Sequence, residues 1–227
     1  MKIFLPYQTA LRAFRALQKL HRREVGGSMS INFNKKFEYA TIFSGDKRSV
    51  SHPQDGEIIY HTHPDTRSYY VYHDPPSFID ILGQVRHALK QHMGKKIVAP
   101  QINMVFTNEG IYTIEVTNPQ LILNMTKSED KTNIDDILSS LSTMWKSQYR
   151  VYVKEMMDSD NSKIGEINQL LVGIKVELHP WTQIVKNRGL TLNLKLQELV
   201  KLDYNPKIIE PKTSPKPFIP SYIKPTI

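Results

Sequence analysis

The chain has 227 residues, 40% of them hydrophobic, and 30 lysines and arginines against 22 aspartates and glutamates give a formal charge of +8; this suits one or two soluble domains with a packed core. The absence of cysteine excludes a thiol nucleophile, a disulfide framework and a thiolate zinc site, and the scattered placement of the cations points away from nucleic acid as the main partner. No apolar run approaches the ~20 residues that span a bilayer, so no membrane partner is expected, and Met1-Lys2-Ile3-Phe4-Leu5-Pro6 lacks the apolar stretch of a secretory signal, so an intracellular, cytoplasmic location is expected.

In chain order, residues 7–21 space Leu11, Phe14, Leu17 and Leu20 about one helical turn apart, which predicts an amphipathic helix. Extended runs follow at 28–33 and 37–44, with Asn34-Lys35-Lys36 as the turn between them. A turn-rich stretch, 46–56, leads into a further strand at 57–63. Residues 65–76 read as a tyrosine-rich loop closed by Pro75-Pro76, and residues 77–93 as a helix opened by a serine cap. Residues 101–106 and 111–117 flank Asn108-Glu109-Gly110 as a hairpin.

The polar stretch 126–136 reads as a linker. Beyond it, Ile137, Leu138, Leu141, Trp145, Tyr149, Tyr152 and Met156 recur at helical spacing, and so do Ile164, Ile167, Leu171, Ile174 and Leu178, which predicts two packed helices. Leu190, Leu192, Leu194 and Leu196 alternate as in a strand, whereas Leu196, Leu199 and Val200 fit a helix equally well, and the segment stays open between the two. From Asn205 onward six prolines with several lysines give an extended tail.

The chemistry concentrates at His61-Thr62-His63-Pro64. Side chains at i and i+2 of a strand share a face, so two imidazoles can meet one metal ion without distorting the backbone. Asp80, in the first turn of the following helix, adds a carboxylate oxygen. Two histidines and one carboxylate around zinc leave a fourth position open, as in catalytic rather than structural sites. Hydrolysis also requires a carboxylate that is not a ligand; Glu24, ahead of the first strand and followed by Gly26-Gly27, is the candidate general base.

Glu24-Val25-Gly26-Gly27, His61-Thr62-His63-Pro64 and Ser77-Phe78-Ile79-Asp80, in that order, resemble the signature of the JAMM metalloproteases of the JAB/MPN family: a Glu, then H-x-H-P, then S-x-x-D. The resemblance covers about residues 1–120. It implies an α+β fold, an MPN-type mixed β-sheet flanked by helices, here with a helical C-terminal extension. The organisation is then a metalloprotease-like domain at 1–125, the helical extension at 126–204 and the Pro/Lys-rich tail at 205–227. It implies Zn2+ bound by His61, His63 and Asp80, Glu24 as general base and acid, and Ser77 stabilising the oxyanion. Active members cleave isopeptide bonds to ubiquitin or ubiquitin-like modifiers, or peptide bonds after small sulfur-carrier proteins; others have lost the ligands and act as scaffolds. Thirteen residues, Pro64 to Pro76, separate His63 from Ser77 where the common motif has seven, an insertion that a loop accepts at small entropic cost. This long loop closing in P-P-S-x-x-D resembles JAB-domain proteins of large DNA viruses, for which the compartment would be the host cytoplasm.

Other readings stand beside this one. Ser77 with Asp80 is also the spacing of a helix capping box. Tyr69, Tyr70 and Tyr72 suit either a substrate-contacting surface or a packed loop, and His73 and Asp74 either a loop or an extra ligand. His179 reads as a structural residue, and Trp145 with the Tyr149–Met156 stripe as core. The rival functions are a non-catalytic MPN scaffold binding a partner protein or nucleic acid, and a barrel metallohydrolase, which generally needs more downstream histidines than His179 alone.

Overall fold

The computed structural model describes residues 2–8, 10, 25–31, 37–44, 58–63, 72–94, 100–126 and 130–194. The chain divides into two units, Met1–Leu196 and Gln197–Ile227, and every described residue belongs to the first. The turns expected at 34–36 and 46–56, most of the helix expected at 7–21, residues 196–200 and the tail at 205–227 lie outside the described residues.

Short β-rich runs build a six-stranded sheet from β2 (Val25–Ile31), β3 (Phe37–Ser44), β4 (Ile58–Thr62), β5 (Ile102–Phe106), β6 (Gly110–Val116) and β7 (Ile174–Pro180), in the order β3-β2-β4-β5-β6-β7. Among the described strand pairs, only β4 and β5 run parallel. A parallel pair needs a crossover, and α1 (Phe78–His92) supplies it. A separate two-stranded sheet pairs β1 (Lys2–Pro6) antiparallel with β8 (Gly189–Asn193).

The strands β4, β5 and β6 bury both faces. On one side Val105, Tyr112, Ile114 and Val116 pack against α1, α2 (Pro119–Met125), α3 (Ile134–Asp158) and α4 (Ile164–Leu170). On the other, Ile58, Tyr60, Ile102, Met104 and Phe106 pack against Ile3 and Leu5 of β1, Leu190 and Leu192 of β8 and Ile184 of α5 (Trp181–Lys186). The fold is therefore α+β, a mixed sheet flanked by helices. No helix among the described residues is long and apolar enough to cross a membrane.

Two expectations need correction. Residues 164–178 do not form one helix: α4 ends at Leu170, Gly173 turns the chain at φ +86°, a conformation glycine adopts without strain, and β7 follows. Ile174, Val176 and Leu178 satisfy a period of two as well as one near 3.6, and pairing with β6 across seven register positions decides for the strand. The region 126–204 is accordingly not a helical extension only, since it contributes the edge strand β7 to the main sheet and β8 to the smaller one. The alternation of Leu190 and Leu192 resolves as a strand.

Candidate metal centre

β4 carries the first two site residues. Its register places Ile58, Tyr60 and Thr62 opposite Ile102, Met104 and Phe106, on the β1/β8 side, and His61 opposite Val105, on the α1 side. Parity brings His63 to the same face, and its backbone N–H donates to the Phe106 carbonyl at 3.0 Å, extending the ladder one residue past the strand. Both histidines are buried, and their rings lie 5.4 Å apart between centroids.

The third residue arrives through a helix cap. Ser77, extended at φ −73° and ψ 161°, accepts the Asp80 N–H on Oγ at 3.3 Å, and its own N–H donates to Asp80 Oδ2 at 2.7 Å. Asp80 thus closes the cap with one oxygen and offers the other: Oδ1 lies 3.3 Å from His61 Nε2, while Oδ2 is also 3.9 Å from His63 Nε2. The capping reading and the ligand reading of Asp80 hold together, because a carboxylate has two oxygens. Phe78 stacks at 5.4 Å on Tyr149 of α3, whose hydroxyl donates to the Pro76 carbonyl at 2.7 Å, so the start of α1 is fixed from behind.

Among the described residues, His61, His63 and Asp80 are the group able to hold a metal ion, with ligand atoms all within 4.8 Å of one another. A tetrahedral ion with bonds of ~2.0–2.1 Å separates its donors by roughly 3.3–3.4 Å; the 3.3 Å between His61 Nε2 and Asp80 Oδ1 matches this, and the rest of the set, within 4.8 Å, would close in around an ion. Burial pushes the Asp80 carboxyl up, but His61 and His63 outweigh it and hold the group well below the usual carboxylate range. Asp80 therefore stays ionised, as a ligand must.

Glu24, the expected base, lies outside the described residues, as do Tyr69 and Tyr70. Gly26, two positions after Glu24, is buried and is the register partner of His61. Ser77 is exposed, and its Oγ accepts within the cap, which leaves the hydroxyl proton to donate outward. Tyr72 is exposed and is tied by its N–H to the Met157 carbonyl at 3.1 Å. His73 and Asp74 do not belong to the metal-holding group. His179 sits on β7 with Nε2 3.2 Å from Thr113 Oγ1, and burial pushes its imidazole down, which agrees with a structural role.

Sequence reasoning missed Glu109, read only as part of a turn. Its Oε1 accepts from the Asp74 N–H at 2.9 Å and from the Tyr112 hydroxyl at 2.6 Å, and its Oε2 lies 2.6 Å from His73 Nδ1. No local pattern announces this role, because two of its three partners, Asp74 and His73, stand 35 and 36 residues away. No protein-family model, curated protein or solved structure matches the chain.

Proposed function

We propose that the protein is a zinc-dependent isopeptidase or peptidase of the JAMM (JAB/MPN) kind, hydrolysing ubiquitin or ubiquitin-like conjugates. The observation that carries this reading is the meeting of His61 Nε2, His63 Nε2 and an ionised Asp80 at the end of β4 and the start of α1. Two nitrogens and one oxygen are the donor set of hydrolytic zinc sites with an open position. Bound there, zinc would supply an acidified water and a Lewis acid for the scissile carbonyl.

In this reading Glu24 takes a proton from the attacking water and returns it to the leaving amine, a lysine side chain in an isopeptide substrate. Glu24 stands two positions before Gly26 in the sequence, and Gly26 is the register partner of His61 across the β2–β4 ladder. The Ser77 hydroxyl donates to the developing oxyanion.

The test is metal analysis of the purified protein, followed by incubation with a panel of ubiquitin-like conjugates with and without chelator. One zinc per chain and chelator-sensitive cleavage are expected. Glu24→Gln should keep its zinc and lose hydrolysis by ~10²–10⁴-fold, whereas His61→Ala and Asp80→Ala should lose both. Zinc-free protein that leaves every conjugate intact would favour a non-catalytic MPN scaffold; full activity in Glu24→Gln would remove the base assignment.

A further inference from the structure

Each imidazole that offers one nitrogen to a metal has a second nitrogen, and what that nitrogen touches sets the ring's tautomer and orientation. For His63 the second nitrogen is Nδ1, and Asp74 Oδ2 lies 3.0 Å from it, in an approach bent away from the ring N–H direction. Nε2 of the same ring faces Asp80. Asp74 is mostly buried, with 16% of its side chain exposed, against 4% for His63, so water screens the pair weakly.

Asp74 is itself held in place. Its N–H is bound by Glu109 Oε1, which also accepts the Tyr112 hydroxyl, while the other Glu109 oxygen grips His73. The turn carrying Glu109 is held in two ways. Gly110 approaches the His179 carbonyl so closely that a side-chain carbon at that position would collide with it. Trp181, at the start of α5, donates its backbone N–H to the Glu109 carbonyl at 3.1 Å and its Nε1–H to the Thr107 carbonyl at 2.9 Å. A continuous set of contacts thus runs from α5 through the β5–β6 turn and Glu109 to Asp74 and His63.

From this geometry we infer that Asp74 is a positioning residue for the metal centre: its carboxylate holds the His63 proton on Nδ1, which presents Nε2 as the metal ligand, and Glu109 anchors Asp74 for that task. The inference rests on the metal reading of His61, His63 and Asp80. It also assigns work to the long loop, since the last residues before Ser77 carry the carboxylate that orients the second histidine.

The experiment measures two quantities on wild type, Asp74→Ala and Asp74→Asn. The first is the His63 tautomer of the metal-free protein in mildly alkaline solution, from long-range ¹H–¹⁵N spectra. The second is zinc affinity, from competition with a chromophoric chelator. Wild type should show the proton on Nδ1. Asp74→Ala should show a tautomer mixture and bind zinc about ten- to hundredfold more weakly. Asp74→Asn, whose amide oxygen still accepts, should recover most of the affinity. If Asp74→Ala does not fold, Glu109→Ala, which frees Asp74 without altering it, should shift the tautomer and weaken zinc in the same direction. An unchanged tautomer or an unchanged affinity in the folded variant overturns the role of Asp74 and leaves the metal centre standing. Zinc binding as poor in wild type as in His61→Ala overturns both.

Discussion

On the β1/β8 side of the sheet, β4 and β5 present Ile58, Tyr60, Ile102, Met104 and Phe106, an apolar surface met by Ile3, Leu5, Leu190 and Leu192. On the α1 side the same two strands present His61 and Asn103, with Ser28 of β2 across from Ile59 and with Gln84 and His87 of α1 buried as well. Among the described residues, Ser28 Oγ, Gln84 Oε1 and Asn103 Oδ1 are buried there without a hydrogen-bond partner. Burying polar groups without partners costs stability, whereas burying apolar ones supplies it. One face of these strands is thus almost wholly apolar, whereas the other mixes apolar packing at Ile59 and Val105 with buried polar groups, the histidines of the candidate metal centre among them.

Phe106 joins the two faces. Its ring packs edge-on to Tyr60 at 6.0 Å and near Trp181 at 6.5 Å, while its carbonyl on the ladder holds His63. Phe106→Ala removes the ring and keeps the carbonyl, so urea denaturation should show a loss of about 3–5 kcal/mol with zinc stoichiometry of the folded fraction unchanged. A variant that stays as stable as wild type but loses zinc would break the division between faces.

Ser77 sharpens the comparison from the chemical side. Ser77→Ala removes the cap of α1 and should cost about 0.5–2 kcal/mol. Ser77→Asn retains a capping oxygen and should be nearly as stable as wild type, yet it lacks the hydroxyl. If Ser77 donates to an oxyanion, the Asn variant should fold normally and hydrolyse conjugates ~10²-fold more slowly. Normal turnover would reduce Ser77 to a cap.

How much of this was legible follows the range of each signal. His61 and His63 were readable because strand parity operates over two residues, and Asp80 because a cap fixes its distance from Ser77 at three. The hairpin around Asn108-Glu109-Gly110 and the span of α1 were local in the same sense. β1 was missed because a short strand with two buried positions carries little pattern, and its partner β8 lies at the other end of the described chain. α2 went unread although Asn118 and Pro119 form an N-terminal signal, its side chain accepting from the Leu121 N–H. The apolar spacing of β7 fits both periods, and the partner that decides for the strand, β6, is remote in sequence. The sequence offers Asp74 only as an extra ligand or a loop residue; its contact with His63 depends on Glu109, a residue that no spacing rule links to either.

The smallest expected effect tests whether the support behind the site is chemical or merely steric. The Tyr149 hydroxyl, buried under α1, donates to the Pro76 carbonyl directly ahead of the Ser77 cap. Tyr149→Phe should cost about 0.5–1.5 kcal/mol near neutral pH. Burial first, and then the charge of Asp80, push the Tyr149 phenol above its ordinary value of 10.0. A group whose pKa is raised on folding stabilises the native state below its unfolded value and loses that contribution as pH climbs toward the folded one. The advantage of wild type over Tyr149→Phe should therefore be constant up to about pH 10 and shrink above it, read as urea midpoints at about pH 8 and about pH 11. Tyr112, raised by burial and by Glu109, keeps some alkaline sensitivity in the variant, so the slope should lessen without vanishing. No difference between wild type and variant at about pH 8 would mean that the Tyr149 ring alone braces the start of α1, whereas an equal, non-zero difference at both pH values would mean that the hydroxyl supports it without its pKa being raised on folding.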